Sequence, residues 1–231
     1  MFKLIKLEIK KFRIDFLKGP IIANIIILTL LVTAVFLSKA TKEVSFTDYN
    51  SMFLGISTYV RPVFIIYSAV LISKLVIGEY KNKTINIMFT YPIKRKKIMI
   101  SKFIIVVVFC FTTMLFSTIF LDLSMYGINR FGHFFNDTLT MKLIISNLIN
   151  IVVYSIAFAF ISLIPIYVGL KRKSGSAAIV TAIILSSALS SGSNGYSLSS
   201  IIIIPVILAI VGAVIAYVSI KDIEKVDVVN F

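Results

Sequence analysis

Six unbroken apolar runs, at about 20–37, 62–77, 98–121, 143–170, 177–190 and 201–220, decide most of what this chain can become. A bilayer core about 30 Å thick takes roughly 20 apolar residues per helix. Backbone N–H and C=O groups left unpaired in lipid are costly, so such a run crosses as a helix, which bonds to itself. A membrane β-barrel would show short alternating segments instead. The expected fold class is therefore all-α and integral to the membrane, with six transmembrane helices. Of the 231 residues, 58% are hydrophobic, against ~45–50% in a soluble domain. Residues 1–231 read as a single transmembrane domain, and an energy-converting domain would have to lie on another polypeptide.

The formal charge of +14 raises the question of nucleic acid. The placement of the charges gives a different answer. Lys3, Lys6, Lys10, Lys11, Arg13 and Lys18 precede the first run. Lys81, Lys83 and Lys94 through Lys97, with Lys102, lie between or beside the second and third. Lys171, Arg172 and Lys173 separate the fourth and fifth, and Lys221 and Lys225 follow the sixth. With six spans all of these fall on one side. Only Lys39, Lys42, Arg61, Arg130 and Lys142 are assigned to the other, and Lys74 lies within the second run. Positively charged loops stay in the cytoplasm, so both termini are expected there and no nucleic-acid partner is needed. The richness in Ile, Lys and Asn points to a bacterial cell membrane.

Several chemistries have no residues to carry them. The chain has one histidine, His133, in an expected outer loop, which excludes an H-E-x-x-H zinc site. No G-x-S-x-G elbow and no Walker A sequence occurs, so neither hydrolase nor ATPase chemistry is expected of this chain. No cofactor or metal is called for. The single cysteine, Cys110, is read as a small buried residue. Charge at membrane depth, the usual flag of ion coupling, is nearly absent. Lys74 is close enough to a span end to snorkel, and Asp122 is read as solvated at the outer end of the third span. Pro165 and Pro205 are expected to kink the fourth and sixth helices.

Two amphipathic stretches remain. In the first, Phe2, Ile5, Ile9, Phe12 and Phe16 recur at alternating three- and four-residue spacing and form one helical stripe. Lys3, Lys6, Lys10 and Arg13 form a cationic stripe beside it. Such a helix lies along the inner membrane surface, over about 1–18. The second is "EYKNKTINIMFTYPIKRKK", from Glu79 to Lys97. Thr84 is placed to cap a short helix. Ile85, Met88 and Phe89 share its face. Pro92 ends it, because the residue before a proline is driven out of helical geometry. The cluster from Lys94 to Lys97 then holds the next span at the headgroups. A rigid element braced between two spans, with a few apolar anchors, suits insertion into a partner's groove.

This second stretch resembles the signature region of type-2 ABC exporter permeases. That pattern runs from an acidic residue through polar residues and Gly-Thr to a short amphipathic helix, then proline, basic residues and a lysine at the next span. Glu79, Thr84, Pro92, Arg95 and Lys102 match it, and Lys83 stands where the family often has glycine. The amphipathic N-terminus, the length and the expected topology extend the resemblance over the whole chain. In general style it is similar to the permeases of bacitracin and lantibiotic self-protection. The resemblance implies an export permease that pairs with a second copy or a sibling permease and with two separate ABC ATPase subunits, which bind ATP-Mg. Glu79, Thr84, Ile85, Met88, Phe89, Pro92 and Arg95 would form the ATPase-coupling element. The cargo would be amphipathic or hydrophobic, such as an antimicrobial peptide. The alternatives from the residues themselves are a small carrier or accessory membrane subunit that works without an ATPase, and, with least support, an intramembrane enzyme.

Overall fold

The computed structural model describes residues 5, 15–41, 48–78, 95–132, 139–191 and 198–222. Seven α-helices are present among them. They are α1 (Asp15–Thr41), α2 (Tyr49–Ile72), α3 (Arg95–Gly132), α4 (Met141–Ile161), α5 (Ile164–Lys171), α6 (Gly175–Ser190) and α7 (Ile203–Asp222). A π-helical turn, Ser73–Ile77, continues α2, and a 3₁₀ turn, Leu198–Ser200, precedes α7. No strand occurs among the described residues.

Among the described residues, five stretches are long and apolar enough to cross a membrane: Lys18–Leu37, Tyr49–Ile77, Lys96–Gly132, Met141–Lys171 and Ile203–Lys221. The fifth apolar run forms the shorter helix Gly175–Ser190, of 16 residues. At 1.5 Å per residue it spans about 24 Å, less than a ~30 Å core. α6 nonetheless packs extensively along α2, and α7 lies against α4.

Two helices extend past the apolar runs that reveal them. α2 begins at Tyr49, well before Pro62, so residues expected in an outer loop, Arg61 among them, are helical. α3 continues to Gly132 and carries Asp122 inside it. Composition marks where a helix is apolar, whereas a helix ends where its backbone finds other partners. At Tyr49 the start is fixed by a reciprocal cap. The Asp48 backbone N–H donates to Ser51 Oγ at 3.1 Å, and Asp48 closes a capping box with Ser51. The fourth run breaks at Ser162–Leu163, just ahead of Pro165, which opens α5. There the missing N–H of proline costs nothing.

Burial forms two apolar cores. One surrounds the middle of α2 and includes Leu31, Met52, Ile56, Phe64, Met114 and Phe158. The other lies toward the end of the bundle that carries the basic turns, and includes Leu75, Val76, Met99, Phe103, Ile166 and Ala178. Large side chains on α1, α4 and α7, such as Ile25, Leu148 and Ile207, are exposed around them. Lipid is a natural solvent for such a surface.

Candidate functional site

The expected coupling element is flanked by Gly78 and Arg95. Glu79, Thr84, Ile85, Met88, Phe89 and Pro92 lie outside the described residues. Arg95 is the first residue of α3. The two helix ends that flank it, its expected supports, are described. One is the π turn at Ser73–Ile77, which hands the chain on at Gly78. The other is the start of α3.

These supports are tied together. Lys102 is fully buried, and its Nζ donates to the Leu75 carbonyl at 2.7 Å. Leu75 belongs to the π turn, where the ordinary i→i+4 ladder is interrupted. A carbonyl there is open to a side-chain donor in a way that one inside a regular helix is not. The lysine stem meanwhile lies within the core that holds Leu75, Met99 and Phe103. Sequence reading placed Lys102 at the start of a span; it missed that the side chain turns inward and clamps α3 to α2.

The α5–α6 hairpin braces the same turn. Just past the C-cap of α5, Lys173 stands at φ 51°, in left-handed geometry. The Lys173 N–H donates to the Leu170 carbonyl at 3.2 Å and the Ser174 N–H to the Gly169 carbonyl at 3.1 Å. This is a Schellman closure, with lysine where glycine is usual. The tight return brings Gly175 against Ser73 so closely that a Cβ there would overlap the Ser73 Oγ. A Cβ on Gly169 would meet the Ile77 Cδ1, and the Cβ of Ala178 at 2.9 Å. Both glycines allow the hairpin to touch the π turn.

Of the N-terminal stripe, Ile5 is helical and half-buried against the basic-end core, and Phe16 lies in the first turn of α1. Phe2, Ile9 and Phe12 lie outside the described residues. Lys74 is exposed, as expected of a snorkelling side chain, and Cys110 is buried.

The far half of the bundle corrects two readings. Arg61 does not stand in an outer loop. It is 6% exposed, twelve residues into the helix that begins at Tyr49, or about 18 Å along its axis. Its guanidinium stacks on the Tyr154 ring, 3.9 Å from the centroid. It donates through NH1 to the Ser199 carbonyl at 2.8 Å and to Ser199 Oγ at 3.2 Å. Asp122 is not solvated at a helix end. It is half-buried within α3, and Asn147 Nδ2 donates to its Oδ2 at 2.8 Å. Further bonds join Asn24 Nδ2 to Ser117 Oγ at 2.9 Å and Asn129 Nδ2 to the Tyr49 hydroxyl at 3.1 Å. Such cross-helix bonds contribute about 0.6–2 kcal/mol each in a membrane bundle. Periodicity could not find them, because a polar residue in an apolar run reveals no partner. Beside Arg61 a cleft of about 180 Å³ opens between α2 and α4.

A family model described as "ABC-2 family transporter protein" matches residues 4–190. An uncharacterized protein of Bacillus subtilis (strain 168), YcbO, is 39% identical over 225 residues, covering 97% of this chain and 99% of that one. No solved structure matches the chain. With its apolar helices and a family match that runs from residue 4 through the basic-end supports to the end of α6, the chain belongs to the ABC-2 family of transporter membrane proteins.

Proposed function

We propose that this chain is the permease subunit of an ATP-driven exporter, working with a separate ATPase. The observation that carries the proposal is the clamp at the basic end. Lys102 ties the entry and the exit of the 79–94 segment to each other, and the α5–α6 hairpin is wedged against the same turn. A push on a segment held this way would reach α2, α3 and α6 together, since a packed core transmits displacement rather than absorbing it. A loose loop would dissipate it.

In this reading Thr84 opens a short coupling helix. Met88 and Phe89 fill a groove on the ATPase, with Ile85 beside them, and Glu79, Pro92 and Arg95 set its ends. ATP-Mg is bound and hydrolysed on the partner. A second copy or a sibling permease completes the pathway. α6 serves as the fifth of six spans, shortened and supported by α2, so that both termini and the basic turns lie in the cytoplasm of a bacterial cell. The cargo is amphipathic or hydrophobic, an antimicrobial peptide being the example the sequence style favours. The small number of buried charges supports such a cargo over a small ion.

The test is a photocrosslinking residue placed at Met88 or Phe89 in the intact cell. A crosslink to a protein with a Walker motif is the expected result. Crosslinks to lipid alone, with the protein correctly inserted, would remove the coupling role.

A further inference from the structure

The cleft beside Arg61 has no part in the coupling argument, and its chemistry is specific. Arg61 is buried midway along a stretch long and apolar enough to cross a membrane, where an arginine is costly and marks a functional site by default. Among the described residues no carboxylate reaches it; its hydrogen bonds go to Ser199 and its face to Tyr154. Ser57, Asn147, Asn150 and Tyr154 line the cleft with it. A second, smaller pocket of about 20 Å³ shares all five of these residues. A single water needs about 10–15 Å³, so the smaller pocket has room for one water and the 180 Å³ cleft has room for a small head group. The mouth carries Leu54 and Ile202, both exposed and both apolar. Asp122 is not among the lining residues; it stands behind Asn147 and takes that side chain's donor.

We propose that this cleft binds the anionic group, phosphate or carboxylate, of an amphiphile whose apolar part stays in the surrounding lipid. Stacking on Tyr154 and the bonds to Ser199 fix the guanidinium plane in advance, so little side-chain freedom is lost when an oxyanion arrives. The amides and the Ser57 hydroxyl supply further polar contacts, and the apolar rim accepts the chain. The site stands independently of the ATPase reading, since binding needs only this chain.

The experiment is native mass spectrometry of the detergent-solubilised protein titrated with dioctanoyl phosphatidic acid. One equivalent is expected to bind the wild type. Arg61→Gln should weaken binding at least about tenfold, but it also releases Ser199 and could harm the fold. Asn150→Asp guards against that. Asn150 is exposed, so the variant should keep the wild-type melting temperature while its carboxylate repels the ligand and weakens binding about tenfold. Unchanged binding in Asn150→Asp would overturn the proposal and leave Arg61 as a tie to Ser199. Displacement of the lipid by an equal concentration of inorganic phosphate would overturn the amphiphile part, since a free anion would then suffice.

Discussion

Lys102→Met removes one donor and keeps most of a buried side chain's volume. The Lys102 side chain has no exposed surface, and its Nζ lies 2.7 Å from the Leu75 carbonyl. Without it, a carbonyl of the π turn loses its side-chain partner in the dry core formed by Leu75, Met99 and Phe103. Orphaning a buried acceptor costs about 1–3 kcal/mol, and the methionine stem recovers little of that because it restores no donor. If the clamp holds the 79–94 segment in its docking geometry, the same energy is lost from the competent arrangement, and the equilibrium constant favouring it falls roughly five- to 150-fold. The variant should therefore insert normally, melt at a lower temperature, and lose cargo-stimulated ATP hydrolysis and transport in proteoliposomes by about fivefold or more. Lys102→Arg should not rescue it fully, because a planar fork does not reproduce a compact amine. Wild-type transport by Lys102→Met at saturating ATP would refute the clamp.

Charged replacements at Met88 or Phe89 should abolish transport and cosedimentation with the ATPase while membrane insertion survives; persistence of transport would show that these side chains do not dock. Gly169→Ala sets a Cβ against Ile77 and the Ala178 Cβ, an overpacking cost of about 1–3 kcal/mol, and should lower both the melting temperature and transport; a neutral result would mean the hairpin does not bear on the π turn. Lys173→Gly relieves a left-handed lysine at φ 51° and should raise stability by up to about 1 kcal/mol, seen as a higher melting temperature with transport unchanged.

The apolar runs were legible because lipid leaves the backbone one local solution, and they located every long helix among the described residues. Their ends were less so. Tyr49 and Gly132 lie beyond the runs, since a helix that emerges from the apolar layer can continue on caps and packing that hydropathy does not register. The short fifth run reads as a span by composition, yet the helix it forms is 16 residues long, so a crossing there would depend on packing against α2 rather than on length. Lys102 was legible as a motif lysine but not as a clamp, because the π turn that exposes Leu75 has no sequence signal of its own. Arg61 was misplaced for the opposite reason. One arginine beside an apolar run looks like a loop charge until Tyr154 and Ser199, from distant parts of the chain, are seen around it. Glu79 through Pro92, the residues that carry the coupling reading, rest on the sequence pattern together with the geometry of the two helix ends that hold them.

The central claim is that an ATPase works through this chain, and gentle extraction of the tagged protein from its native membrane, followed by mass spectrometry of what comes with it, tests that claim most directly. The account predicts a stoichiometric Walker-motif ATPase and either a second copy of this chain or a sibling permease. Recovery of the protein without any ATPase, under conditions that preserve its helical content, would contradict the account and favour a carrier that works alone.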